Sequence, residues 1–553
     1  MRQHRMQRWS IAAAGFAVAA LALAGCGGGT TSTAPAKTPT VRFGDQLNIT
    51  TLDPASWSDV TSMQPMQEIY DTLVEYAKDN STIVPGLAYK WKVSPDGKTY
   101  TFYLRKGLKF SNGDPVTAQD VIYDLNRVTS ASPVGAGPAP YGFAYSDIQG
   151  YTTWNASKQQ ATLGGTGMTG LSSPAPNVVQ IALDTPQAYF LNELALMSAA
   201  IIDPAEAVKY GANYQLHAIG TGPYKVGNWN KGHQLVLVAS SVNTFRPKPQ
   251  IQKIVIDEAV TTTLQLLRFQ QGEYDFMWGP LDSATYAKTI STPSLKKLYH
   301  SVPENGIVYL AFNTTKPPFN NVDMRLAVNY ALNKQLIVKD ITNGRAQIAS
   351  QPLPPLIPGY NSSIQPFPYD PNQAKALLKS AGYNGAPITF IYLADNSDHI
   401  RMADMIQQQL EAVGMKVTLK PFNSGSYWSY EDAPSNPFNI AWTDWFQDYP
   451  DGQDFLENLL GKEAFNATNV GEWTDPTFQK LIDTADALPA SQDATRYADF
   501  QQAETIAHNK AAWGYLYYYW NDALVQPWIH PSDLNLYLHP VKTPAFEYMT
   551  TSH

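Results

Sequence analysis

Two periods of hydrophobic and polar residues alternate along the chain. Around Ser94-Pro95-Asp96-Gly97, the residues Trp91, Val93, Tyr100, Phe102 and Leu104 occupy alternate positions. A period of two on both sides of a Pro/Asp/Gly turn predicts a hairpin with one buried face. Past the Asn112-Gly113-Asp114 turn, Thr117 and Asp120 stand three apart, the spacing of a capping box before a helix through Val128. Asp370-Pro371 supplies an N-cap and a first-turn proline for a helix that ends at Ala381-Gly382. Between 401 and 413, Met402, Met405, Ile406, Leu410 and Val413 form one stripe at helical spacing, stopped by Gly414, and residues 417–419 alternate again as a strand. Residues 438–442 read as a strand and the following ones as the loop leaving it. Residues 130–180, loose in pattern and rich in Gly, Pro and Ser, predict irregular loops. No fixed-period repeat is visible. More than 500 residues with both periods describe an α/β chain of two or three lobes.

The beginning of the chain follows another logic. Arg2, Arg5 and Arg8 precede an apolar run from 11 to 23 that is too short and too rich in Ala and Gly for a membrane span but suits a secretory signal. Leu23-Ala24-Gly25-Cys26 then resembles the lipobox of bacterial lipoproteins. The resemblance implies a signal peptide over 1–25, cleavage before Cys26, and lipid on its sulfur and new amino terminus. Cys26 is the single cysteine of 553 residues, so it has no pairing partner. An ordinary signal cut that leaves an unused thiol is the alternative. Residues 26–39 form the lipidated cysteine and a flexible tether, whose thirteen residues after Cys26 reach roughly 20 Å as a coil.

Removing the signal takes away three arginines and moves the net charge from −8 to −11, with 36 basic residues against 47 acidic ones. No basic block remains to grip nucleic acid or an anionic membrane. Neither H-E-x-x-H nor G-x-S-x-G occurs, and the nine histidines show no ligand spacing, so neither a metal nor a cofactor is expected. The segment IGTGPYK lacks the K-[ST] ending of a phosphate loop and reads as a tight turn. A secreted glycosidase using two of the many carboxylates is the remote enzymatic reading, and nothing in the sequence selects such a pair. Aromatics make up 12%, with 32 Tyr and 13 Trp, which suits an extensive binding surface.

Six ordered blocks carry a family resemblance. They are PGLAYKWKVSPDGKTYTFYLRKGLKFSNGDPVTAQDV (85–121), IGTGPY (219–224), AFNTTKPPFNNVDMRLAVNYALNK (311–334), YDPNQAKALLKSAGY (369–383), RMADMIQQQLEAVGMKV (401–417) and DYPDGQDFLENLL (448–460). Together they resemble the family 5 extracellular solute-binding proteins, peptide-type receptors of ABC importers, and the tail YLYYYWNDALVQPW (515–528) is similar to the oligopeptide-binding branch. The resemblance implies a bilobed periplasmic-binding-protein-like α/β fold (type II, cluster C) with an extra domain inserted in the first lobe. Lobe I would comprise 40–76, 200–305 and 521–553, the extra domain 77–199, and lobe II 306–520. Such a monomeric receptor, lipid-anchored at the outer face of the cell membrane, closes over a peptide or other small solute and hands it unchanged to a permease. No enzymatic step and no nucleic acid are involved. A receptor for oligosaccharide or another solute on the same fold is the alternative.

Matched residue by residue, the family's amino-binding aspartate falls at Asp448 and its cleft tryptophan at Trp445, with Trp442 at the end of the preceding strand. Tyr519 matches a ligand-contacting tyrosine of the oligopeptide branch, and Trp428 falls near a cleft tryptophan of that branch, with a spacing to Trp445 that differs by about two residues. The competing readings make Asp448 a helix cap near Gly452, Tyr519 a buried crossover residue and Trp428 a packing residue. Asp444 and Asp451 read as surface or cap residues. The family's dipeptide receptors clamp the ligand carboxylate with an arginine where this chain has Tyr392-Leu393-Ala394-Asp395, and Arg401 lies in the next helix. That departure favours oligopeptides over dipeptides.

Overall fold

The computed structural model describes residues 38–77, 81–132, 139–242, 245–395, 397–431, 437–465, 468–530 and 545–552. The expected signal peptide, Cys26 and the tether up to residue 37 lie outside them, as does part of the expected last piece of lobe I.

The fold is a bilobed α/β architecture. A four-stranded sheet has the order Thr40–Gly44, Lys253–Asp257, Gln234–Ala239 and Tyr224–Asn230, so its first strand pairs in parallel with one more than 200 residues later. A seven-stranded sheet is built around two long antiparallel strands, Tyr299–Phe312 and Trp513–Val525. Their pairing runs from Tyr299 against Leu524 to Ala311 against Trp513, with register shifts after Pro303 and Val308. These two strands join the hydrophobic cores. One core is built from residues 307–520, while another collects Val41, Phe43, Ile254 and Phe276 and reaches Ala523 and Val525 at the far end of the second long strand.

The predicted hairpin is present as Ala88–Val93 and Thr99–Leu104, with Tyr100, Phe102 and Leu104 buried. The helix Ala118–Val128 starts where expected, and the Asp120 carboxylate accepts from the Thr117 amide at 2.6 Å. The stripe of Met402, Ile406 and Leu410 lies buried on the helix Ser397–Ala412, which links the parallel strands Pro387–Leu393 and Lys416–Phe422. The expectation of irregular loops over 130–180 is corrected. That stretch contains the helix Tyr151–Ser157 and the strands Leu171–Ala175 and Val178–Ala182, which extend the hairpin into a four-stranded sheet. Five-residue strands show too few alternations to stand out locally; Val178–Ala182 is fixed by pairing with Thr99–Leu104, and Leu171–Ala175 by pairing with Val178–Ala182.

Candidate functional site: an interlobe cleft

The strand Ile440–Phe446 runs four residues further than the sequence pattern indicated, so Trp445 sits within it and Asp448 lies two residues past its end. It pairs with Tyr299–Phe312 along its whole length but meets Pro387–Leu393 only at Ile440 and Ala441. The Gln447 amide donates to the Asn305 carbonyl at 2.8 Å. Antiparallel geometry then turns the backbone groups of Asp444 and Phe446 toward the other edge, where no described strand follows. Gly306 lets this corner close, because a Cβ there would stand 2.9 Å from the Trp445 carbonyl oxygen and 3.1 Å from the Tyr519 ring.

Asp448 is held from two directions. Its amide donates to Asp454 Oδ2 at 3.0 Å, and the same oxygen accepts from Trp445 Nε1 at 3.3 Å. Tyr141, far away in sequence, donates its hydroxyl to Asp448 Oδ1 at 3.0 Å, and its ring stacks on Trp57 with centroids 4.4 Å apart. Burial pushes the Asp448 carboxyl up to about 7, and the Tyr141 donor partly offsets that rise. Asp454 is raised well above the carboxylate range by burial and by the neighbouring Asp448 charge. No lysine or arginine acts on either group among the described residues. This pair, with Asp454 buried and Asp448 half-buried, has no cation among the described residues and favours an incoming one, since leaving such charge unpaired is costly.

The other sequence-derived positions are distributed around this group. Asp448 does not cap the helix Gln453–Leu460; the Gln453 amide instead donates to Asp451 at 2.9 Å. Asp451 is no surface residue either, because Arg496 grips it from within the core with contacts of 2.6 and 2.5 Å. Asp444 accepts the Tyr519 hydroxyl at 2.7 Å, and burial pushes its carboxyl up to about 6. Tyr519 therefore meets Asp444 rather than Asp448, with its ring 4.3 Å from that of Phe446. Trp442 is 2% exposed and packs against His399 at 4.6 Å in the core. Trp428 lies on the helix Ser424–Glu431, 39% exposed, with its ring edge-on to Tyr427. Tyr141, Trp57 and Asp454 escaped sequence reasoning. Asp454 follows Asp448 by six residues in DYPDGQD and was open to notice, whereas nothing local marks Tyr141.

A cavity of about 400 Å³ opens beside the two long strands, with Glu304, Asn305, Arg345, Leu356, Tyr519 and Trp520 among its walls. A strand edge that no described strand covers, an acidic pair and an aromatic-walled cavity beside the two long strands are the features of a bilobed solute-binding protein.

The chain belongs to the bacterial extracellular solute-binding proteins, family 5: residues 82–467 match the family's middle region. It is 30% identical over 467 residues to heme-binding protein A of Haemophilus influenzae, covering 81% of each chain. It is 29% identical over 472 residues to the dipeptide-binding protein of Escherichia coli, covering 80% of this chain and 82% of that one. Its fold is similar to the ABC transporter-associated periplasmic binding protein DppA from Helicobacter pylori in complex with the peptide STSA, with a TM-score of 0.78, 26% identity, and 93% of this chain and 98% of that chain covered.

Proposed function

We propose that this protein is the substrate-binding receptor of an ABC importer, capturing extracellular peptides by their free amino end and passing them unchanged to a membrane permease. The observation that carries this reading is Asp448, a half-buried carboxylate with a tyrosine donor and, among the described residues, no cationic partner, set beside a strand edge that no described strand covers. A peptide ammonium supplies the missing charge, and the peptide backbone adds to the Asp444–Phe446 edge as an extra strand. The Escherichia coli relative is named for dipeptides, and the Helicobacter pylori structure holds a peptide. Because residues 392–395 offer no basic side chain to a nearby carboxylate, oligopeptides suit the cleft better than dipeptides. The lobe layout is 40–76, 200–305 and 521–553 against 306–520, with 77–199 as the extra domain; the division of the cores around residue 306 supports the separation of 306–520, while 77–199 share a core with the first lobe. Lipidation at Cys26 tethers the monomer outside the membrane. Closure over the ligand requires no reaction.

A second reading keeps the scaffold and changes the solute to an oligosaccharide or a ring system, favoured by the Tyr519 and Trp520 walls and by the heme-named relative. Calorimetry with di-, tri- and tetrapeptides, oligosaccharides and heme separates the two. We expect tetrapeptides to bind and mass spectrometry to recover them intact. Binding of a glycan or heme without any peptide response replaces the first reading by the second, and a cleaved ligand overturns both.

A further inference from the structure

The cavity at Asn305 has a hydrogen-bonding need of its own. Asn305 is buried and donates its side-chain amide to Gln447 Oε1 at 2.7 Å, while its Oδ1 has no donor. Leaving a buried acceptor unpaired is costly, so this atom favours a ligand that donates. Around it the cavity carries the Glu304 carboxylate and the Gln347 amide. The cationic side chain in the lining, Arg345, is committed elsewhere. Its Nε donates to the Thr342 carbonyl at 2.8 Å, one terminal nitrogen donates to the Leu281 carbonyl at 3.1 Å, and the other pairs with Asp522. Its guanidinium also lies 4.1 Å from the Tyr286 ring centroid and 4.6 Å from that of Trp520. Three of the five guanidinium N–H groups of Arg345 are thus engaged by protein acceptors, and its charge is met by Asp522. Leu356, 58% exposed, and Pro355 add an apolar wall.

We propose that this cavity is a second subsite, which takes a lysine or arginine side chain of the bound peptide while Asp448 holds the amino end. This rests on the peptide reading above. The methylene stem lies along Pro355 and Leu356, and the charged head reaches Asn305 Oδ1 and Glu304. Asn305 stands opposite Gln447, the residue before Asp448. Strand geometry therefore places the Cα atoms of Asn305 and Asp448 within roughly 9 Å of each other, which assigns the basic side chain to the first or second ligand residue.

The test is calorimetry at pH 8 on the full chain with Lys-Ala-Ala-Ala and Ala-Lys-Ala-Ala, and with the norleucine and glutamate versions of each. At one of the two positions, lysine is expected to bind at least tenfold tighter than norleucine, and glutamate weaker than norleucine. In Glu304→Gln, with its melting temperature measured to establish folding, the lysine-to-norleucine ratio should fall below threefold. Lysine and norleucine peptides binding within threefold of each other at both positions overturns the subsite and leaves the amino-end reading intact. So does a lysine preference that survives Glu304→Gln undiminished. Failure of every peptide to bind overturns the peptide reading and the subsite with it.

Discussion

Asp448→Asn isolates charge from shape at the amino site. The variant keeps a side chain of the same outline whose oxygen still accepts from Tyr141, so the position stays filled. An ammonium about 4 Å from a carboxylate at an effective dielectric near 20 gains about 4 kcal/mol. A neutral amide keeps about 1 kcal/mol of that as an ordinary hydrogen bond. The difference, about 3 kcal/mol, corresponds to about 150-fold in Kd at pH 8. Acidity adds a second signature. The Asp448 carboxyl is raised from its ordinary 3.8 to about 7, and the ligand ammonium pairs with its ionised form, so wild-type affinity falls as pH drops through that value. From pH 8 to pH 6 the ionised Asp448 fraction falls about tenfold while the ligand's ammonium fraction rises about two- to threefold, so wild-type affinity falls about fourfold, whereas Asp448→Asn shows no such fall. Isothermal titration of a tetrapeptide and its N-acetyl derivative at pH 6, 7 and 8 measures both effects. A variant within threefold of wild type, or an acetylated peptide that binds as well as the free one, refutes the assignment of Asp448 to the amino group.

Further predictions concern the surroundings of that site and the buried charges. Tyr141→Phe removes a donor that holds the Asp448 carboxyl down, so the pH midpoint of peptide binding should move upward in the same titration series. Asp454→Ala frees Trp445 Nε1 and the Asp448 amide together, and should weaken tetrapeptide binding by about 1–2 kcal/mol, roughly tenfold, in calorimetry. Arg496→Met leaves Asp451 charged and buried, and urea unfolding should show a loss of about 3–5 kcal/mol, most of it recovered in the double variant with Asp451→Asn. Glu68 and Asp71, together with Glu75, surround Arg246, and burial raises all three carboxyls. The native state therefore binds more protons than the unfolded chain, and this cluster's contribution to stability falls as pH rises through the native values. Glu68→Gln should accordingly destabilise less at pH 8 than at pH 5, read as the difference in melting temperature from wild type.

What was legible in the sequence had a local cause. The hairpin, the Thr117-capped helix and the 397–412 helix each announce themselves through a turn, a cap or a stripe within a dozen residues. Asp448 was legible through its motif, and Trp445 through its spacing from it. The arrangement that gives them chemistry was not. Tyr141 reaches Asp448 across 307 residues, and Arg496 reaches Asp451 across 45. Asp444 and Asp451 looked like loop carboxylates because their partners, Tyr519 and Arg496, are invisible to any window around them. The end of the 440–446 strand was misplaced for a similar reason. Asp444 and Trp445 interrupt an apolar run, but pairing with Tyr299–Phe312 carries the strand through them.

The contacts already made around Asp448 limit how far a ligand's amine alone can drive closure. Tyr141 joins the 139–199 region to the Asp448 loop, and Tyr189 lies parallel to Tyr449 with centroids 6.4 Å apart. A neutral hydrogen bond contributes about 1 kcal/mol and an aromatic pair about as much, which biases the lobes toward each other without fixing them. Moving a two-state equilibrium from 1:99 to 99:1 takes about 5.5 kcal/mol of differential affinity. The roughly 3 kcal/mol available from the ammonium at Asp448 falls short of that. The remainder has to come from the groups that a single amine cannot reach, the exposed edge at Asp444 and Phe446 and the cavity beyond Asn305. Methylamine should therefore occupy the acidic pair and leave the small-angle scattering profile unchanged, while a tetrapeptide compacts it. Under the proposed function the peptide backbone is the closing element, because it is the part of the ligand that would both complete the strand edge and span from the carboxylate pair to the cavity.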